Sequence, residues 1–225
     1  MSRRLRPMTA ADLATLPEPC TACTFWETSP ASLAAPAEHA DRRAAKNDWA
    51  QEVTRRWGYC GVMAVQDEQT IGFLTMAPAG HVRRLAAFPS TPLGPEVAVL
   101  LAVHVAEEWR GRGLGRQLVQ AAAGLLTRRD IRAVEAIGTY HDGPSCMAPV
   151  GWLEAVGFGV VRPHPVTPLL RMDLQNTVRW RPDLGAAWHR LTGLVAPAAP
   201  EPAAYAHREP TEPLVGPPTA LGGHP

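Results

Sequence analysis

The chain has 225 residues, 46% hydrophobic and 19% charged, a size and balance that suit one well-buried α/β domain with an appendage. A formal net charge of +1 provides no global field for gathering nucleic acid or an anionic membrane, so neither is expected as a partner. Among 22 basic residues Lys46 is the single lysine, which together with abundant alanine and proline resembles the usage of a GC-rich bacterial genome.

The basic stretch from Met1 to Pro7 has no apolar core behind it, and no apolar run approaches membrane-spanning length, so a cytoplasmic protein is expected. Arg3 to Arg6 reads as a short edge strand. Thr9-Ala10-Ala11-Asp12 matches a capping box opening a helix that Pro17 ends. Cys20 and Cys23 form one C-x-x-C pair, while Cys60 and Cys146 stand apart. Zinc sites usually show two such pairs or matched histidines, so reduced, unliganded thiols and no metal are expected; the alternative is a metal held by Cys20, Cys23 and Cys60. From Asp41 to Trp57, the residues Ala45, Trp49, Val53 and Trp57 recur every four positions and predict a helix with one buried stripe.

Tyr59 to Val65 and Thr70 to Met76 flank the polar turn Gln66-Asp67-Glu68-Gln69 and read as a β-hairpin. The proline-punctuated segment from Ala77 to Pro95, with His81-Val82-Arg83-Arg84 inside it, has the length of a functional lid. A long apolar strand, Val97 to Val105, follows. Behind it comes Arg110-Gly111-Arg112-Gly113-Leu114-Gly115, and then Leu118, Val119, Ala122, Leu125 and Leu126 keep a helical period. Ile131 to Ile137 alternates as a strand, Trp152 to Phe158 contains a helix stop at Gly157, and Leu169 to Leu174 gives a closing strand. Trp180, Leu184, Trp188 and Leu191 fall at helical spacing, and eight prolines follow Ala196. These patterns predict a domain over 1–176, a helical extension over 177–195 that packs on its own domain or on a second copy in a homodimer, and a disordered tail over 196–225.

The strand, glycine-arginine turn and helix around residue 110 carry the chemistry. Glycines let the backbone turn sharply and bring N–H groups to a ligand, the helix start adds unpaired donors, and Arg110, Arg112 and Arg116 surround them. Such a site suits a pyrophosphate. Gly115 is followed by Arg116 and Gln117 in place of Lys-Ser/Thr, which excludes a P-loop, and Arg116 or Leu118 stands where a dinucleotide fold needs its third glycine.

What remains resembles the Arg/Gln-x-x-Gly-x-Gly/Ala signature of the GNAT superfamily of acetyltransferases, with Arg110, Gly113 and Gly115 in its defined positions. The strand-then-helix opening and the Gly157-Phe158 corner are similar to the same superfamily. The resemblance implies an α/β fold of the α+β type, with a mixed, largely antiparallel sheet flanked by helices on both faces. It also implies acetyl-coenzyme A as co-substrate and an amine acceptor of unknown identity. Coenzyme A would dock along Val103, His104 and Val105 and on the loop Arg110, Gly111, Arg112, Gly113, Leu114, Gly115 and Arg116. Glu96 is the first candidate for general base and His104 the second, while Glu107 and Glu108 read as a polar turn. The tyrosine that many members use to protonate the thiolate is replaced by Leu153, leaving Tyr140 or Cys146 as acid. The alternatives are an acyl-coenzyme A sensor without catalysis and a metal-stabilised interaction protein.

Overall fold

The computed structural model describes residues 3–33, 38–141 and 145–175. The helical stripe expected across residues 179–194 and the tail from residue 196 lie outside them.

Among the described residues eight strands build one sheet: β1 (Arg3–Met8), β2 (Gly61–Gln66), β3 (Gln69–Pro78), β4 (Val97–Val105), β5 (Ala133–Thr139), β6 (Ala148–Pro149), β7 (Gly159–Arg162) and β8 (Leu169–Asp173). Their order is β1-β2-β3-β4-β5-β8-β7, with β6 on β5 off this path. All pairings are antiparallel except β4 with β5 and β5 with β6. The sheet is therefore mixed and largely antiparallel, as the sequence pattern predicts.

The described residues also form four α-helices: α1 (Pro30–Leu33), α2 (His39–Trp57), α3 (Leu114–Thr127) and α4 (Val150–Ala155). α3 buries Leu114, Leu118, Val119, Ala122 and Leu126 against β1 to β4, and α4 packs on β5 and β6. α4 stops as the Gly-Phe corner implies: Gly157 has φ 110°, its N–H donates to Glu154 O, and the N–H of Phe158 donates to Leu153 O.

Two expectations change. The helix predicted from Asp41 to Trp57 exists, but its buried face is Lys46, Ala50, Val53 and Trp57, whereas Ala45 is exposed and Trp49 half-buried. The segment from Ala77 to Pro95 is no open lid. β3 runs on to Pro78, two 3₁₀ turns follow at Ala79–His81 and Arg83–Ala87, and Val82, Leu85 and Phe88 enter the core. Its far end is held to the sheet, where Arg162 Nη1 donates to Ser90 O and Pro92 O and Gly94 N donates to buried Glu135 Oε2 at 2.9 Å.

Candidate active site

β4 and β5 pair over only three positions, Val97 with Ala133, Ala98 with Val134 and Val99 with Glu135. Beyond Val99 they separate, and β6 fills the vacated edge of β5 by pairing Gly138 with Ala148. β4 keeps its other partner throughout. Leu101 is the extra residue of a bulge, since Thr75 lies opposite Ala102 and Met76 opposite Leu100.

Past the bulge the N–H groups of Ala102 and Ala106 both point to β3, donating to Thr75 Oγ1 at 3.1 Å and Ile71 O at 3.0 Å. Backbone groups of an antiparallel strand alternate in direction, so Val103 and Val105 present theirs to the open side, while the backbone of His104 belongs to the β3 ladder. An extended ligand can add to that edge as a strand does. The side chain of His104 stacks on Phe73 with ring centroids 5.6 Å apart. Burial, with help from Arg110, lowers its pKa and keeps the imidazole neutral at pH 7.

The open edge leads into the glycine-arginine loop. Arg110 Nε donates to Val105 O at 3.1 Å, which anchors its guanidinium at the end of the strand. Gly111 and Gly113 have φ of 70° and 73°, and nothing lies within 4 Å of a Cβ built on either, so both face open space. Gly113 caps α3, whose first internal bond runs from Gln117 N to Gly113 O and leaves the first-turn N–H groups directed at the loop's concavity. Arg112 stacks on Trp109 at 5.3 Å, and Arg116 Nη2 donates to Ala155 O at 2.6 Å. Gly115 serves packing instead, because a Cβ there would sit 3.1 Å from Trp152 and its absence lets α4 approach α3 closely.

The two catalytic candidates are not brought together. Glu96 precedes the closed pairing of β4 and β5, adopts φ 54°, and forms an exposed ion pair with Arg132 at 3.1 Å. Tyr140 follows the open end of β5, 55% exposed, with its N–H on Val166 O. Val97 lies opposite Ala133, so at about 3.3 Å per residue the two candidates stand roughly 20 Å or more apart along the strands and cannot serve one acyl carbon. This corrects the assignment of Glu96 and Tyr140 as a base and acid pair. Leu153 is fully buried and packs against Gly138, so its position contributes nothing polar to the opening.

Two features escaped the sequence patterns. Within Phe25-Trp26-Glu27, Trp26 is buried on Phe88 and donates to Cys146 O at 3.0 Å, while Glu27 forms a buried ion pair with Lys46 at 2.5 Å. Cys23 meets Cys146, Sγ to Sγ 3.0 Å, and not Cys60, which is buried with its thiol 3.5 Å from Met8 O. The lone lysine on an otherwise apolar helix face was the signal for the ion pair; no local pattern marks a thiol contact spanning more than a hundred residues. Among the described residues no group of His, Cys, Asp and Glu is placed to hold a metal, and no helix is long and apolar enough to cross a membrane.

The model of the acetyltransferase (GNAT) family matches residues 22–148, more than half of the chain. The chain belongs to the GNAT family of acetyltransferases. That stretch contains the bulged strand, the open edge and the whole arginine loop. No curated protein sequence matches the chain. Among solved structures, the aminoglycoside acetyltransferase AAC(6')-Ib in complex with coenzyme A is 20% identical, with a TM-score of 0.51 over 80% of this chain and 99% of that one. An N-acetyltransferase from Staphylococcus aureus Mu50 is 14% identical, with a TM-score of 0.50 over 77% and 99%. At such identities the likeness is one of fold, and it places the GNAT topology across the described domain.

Proposed function

We propose that this GNAT domain moves an acetyl group from acetyl-coenzyme A to a primary amine, on a small molecule or a protein, by direct transfer in a ternary complex. The observation that supports this most is the continuity of the open β4 edge with the arginine loop. Val103 and Val105 offer strand-like hydrogen bonds to a pantetheine arm, and the loop at its end gathers backbone N–H groups, a helix start and arginines for a pyrophosphate. The splay of β4 from β5 beside the bulge leaves room for the thioester, whose carbonyl a backbone N–H of the open edge would polarise. His104 is the titratable side chain on the open stretch of β4. Held neutral, it takes the amine proton directly or through a water molecule, and the departing thiolate recovers a proton from the acceptor or solvent.

A second reading, an acyl-coenzyme A sensor without turnover, is favoured by the burial of Leu153 where many family members place their acid. Calorimetry with acetyl-coenzyme A, followed by free-thiol release against a panel of amines, separates the two. Binding with release on one acceptor establishes the transferase; binding without release across the panel favours the sensor. Gly113→Asp tests the docking site: aspartate tolerates the left-handed conformation and meets no steric clash, so its charge alone should weaken coenzyme A at least about tenfold with the fold intact. Unchanged affinity would refute the loop's assignment. For His104→Gln, kcat/KM should lose its acidic limb, which lies below pH 6.5 because the pKa is lowered, and keep the alkaline limb set by the amine; an unaltered profile would remove His104 from the proton path.

A further inference from the structure

The structure points to a second chemistry, built on a pair of thiols. We propose that Cys23 and Cys146 are a peroxide-reactive dithiol that closes reversibly to an intramolecular disulfide. Their sulfurs lie 3.0 Å apart, roughly 1 Å beyond a disulfide bond length, and both side chains are only partly buried. A contact independent of sulfur holds them opposed: Trp26, three residues after Cys23, donates its indole N–H to the backbone carbonyl of Cys146 at 3.0 Å. On the other side, the 3₁₀ turn Cys20–Ala22 packs on α2, where Arg43 reaches both Glu18 and Thr21. The two segments therefore approach each other as anchored pieces.

The two thiols also differ in their surroundings. The hydrogen bond from the Cys146 thiol outweighs burial and, with a backbone N–H of Phe25 and the charge of Lys46, brings Cys23 down to about 6. Cys146 is pushed up by sharing its proton with that thiolate and by burial. In the proposed reaction Cys23, which the Lys46 charge also favours as a thiolate, is the nucleophile and Cys146 the resolving thiol.

The co-reactant is hydrogen peroxide or an organic hydroperoxide. The Cys23 sulfur attacks one peroxide oxygen, the O–O bond breaks, and the leaving hydroxide (or alkoxide) takes up a proton, giving a sulfenic acid. The Cys146 sulfur then attacks Cys23, the S–O bond breaks, and the hydroxyl departs with the Cys146 proton as water. Two thiols and one H₂O₂ become one disulfide and two waters. Cys20 takes no part, since burial and the neighbouring Cys23 raise its pKa, and Cys60 is sealed in the core. In a reducing compartment, thiols that oxidise in this way act transiently, with reduction by a small dithiol restoring them.

The test needs no acetyl acceptor, so it fails or succeeds apart from the transferase reading. Full-length reduced protein is treated with a few equivalents of H₂O₂, unreacted thiols are alkylated, and cross-linked peptides are mapped by mass spectrometry, with circular dichroism checking the fold of each variant. The expected result is a loss of two hydrogens and a Cys23–Cys146 cross-link in the native protein and in Cys20→Ser. The cross-link should vanish in Cys23→Ser and Cys146→Ser and reverse with dithiothreitol. Because mapping of the native protein decides the linkage by itself, a variant that misfolds does not rescue the idea. A Cys20–Cys23 bond, disulfides between molecules, or sulfinic acid on Cys23 with Cys146 still alkylated would each overturn the proposal.

Discussion

Lys46 and Glu27 form a buried ion pair that ties α2 to the segment following the 3₁₀ turn Cys20–Ala22. Their side chains are 8% and 4% exposed, the ammonium sits 5.4 Å from the Trp49 ring, and Glu27 Oε2 is buried without a hydrogen-bond partner among the described residues. Removing one partner of a buried pair leaves an uncompensated charge, which costs far more than the pair itself contributes. Lys46→Met should therefore lower stability by about 3–5 kcal/mol, whereas Lys46→Met combined with Glu27→Leu should recover most of it. Urea unfolding of the two variants checks this, and equal losses in both would show that volume, not charge, sets the cost.

At the scale of elements, the 3₁₀ turn Ala10–Thr15 shows how a short segment becomes fixed. Asp12 accepts from Thr9 N at 2.8 Å, from Thr9 Oγ1 at 3.0 Å and from Arg6 Nη2 at 2.5 Å, closing the expected capping box and tying it to β1. Burial alone would raise the Asp12 pKa, but the bonds from Arg6 and Thr9 outweigh it and hold the carboxyl below its usual value. A depressed carboxylate adds stability that is present above the unfolded pKa of about 4 and is lost as pH falls through the folded one. Asp12→Ala should thus cost about 0.5–2 kcal/mol at pH 7, with the gap from the native protein narrowing in acid. A gap independent of pH in thermal melts would assign the loss to packing. Elements of this kind were legible because their signals are local: the capping box, the period of α3, the apolar run of β4 and the glycine-arginine loop each lie within a few turns of chain. The buried stripe of α2 was misplaced by one residue because Trp49 and Ala45 fit the period as well as Ala50 and Lys46 do, and an ion pair with a distant loop decided between them. The four-residue β7, exposed along its length, and the two-residue β6 carry no pattern of their own and exist only through their partners. The distance between Glu96 and Tyr140 was hidden for the same reason: it follows from the register of β4 on β5, which no single segment encodes.

On the scale of the whole molecule, the sheet is two antiparallel units, β1 to β4 and β5 with β7 and β8, joined at β4 and β5 by three parallel residue pairs. Among the described residues no strand is hydrogen-bonded to that side of β4 beyond Val99, although β6 passes near it, so a ligand adding to this edge does in binding what a strand does in folding. Coenzyme A that adds to this edge should protect the amides of Val103 and Val105 from hydrogen exchange. The amides of Val97 to Val99, already within the closed pairing, should change little. Binding to the native state alone also stabilises by mass action, about 2.7 kcal/mol at a hundredfold excess over Kd, which corresponds to a rise in Tm of about 5–10 °C for a domain of this size. The two readouts discriminate between modes of docking. A raised Tm without added protection on Val103 and Val105 would mean that the phosphate loop alone holds the ligand and that the pantetheine arm lies elsewhere. Protection confined to the open edge, lost together with the Tm shift in Gly113→Asp, would mean that edge and loop act as one site and that the splay between β4 and β5 is what makes room for it.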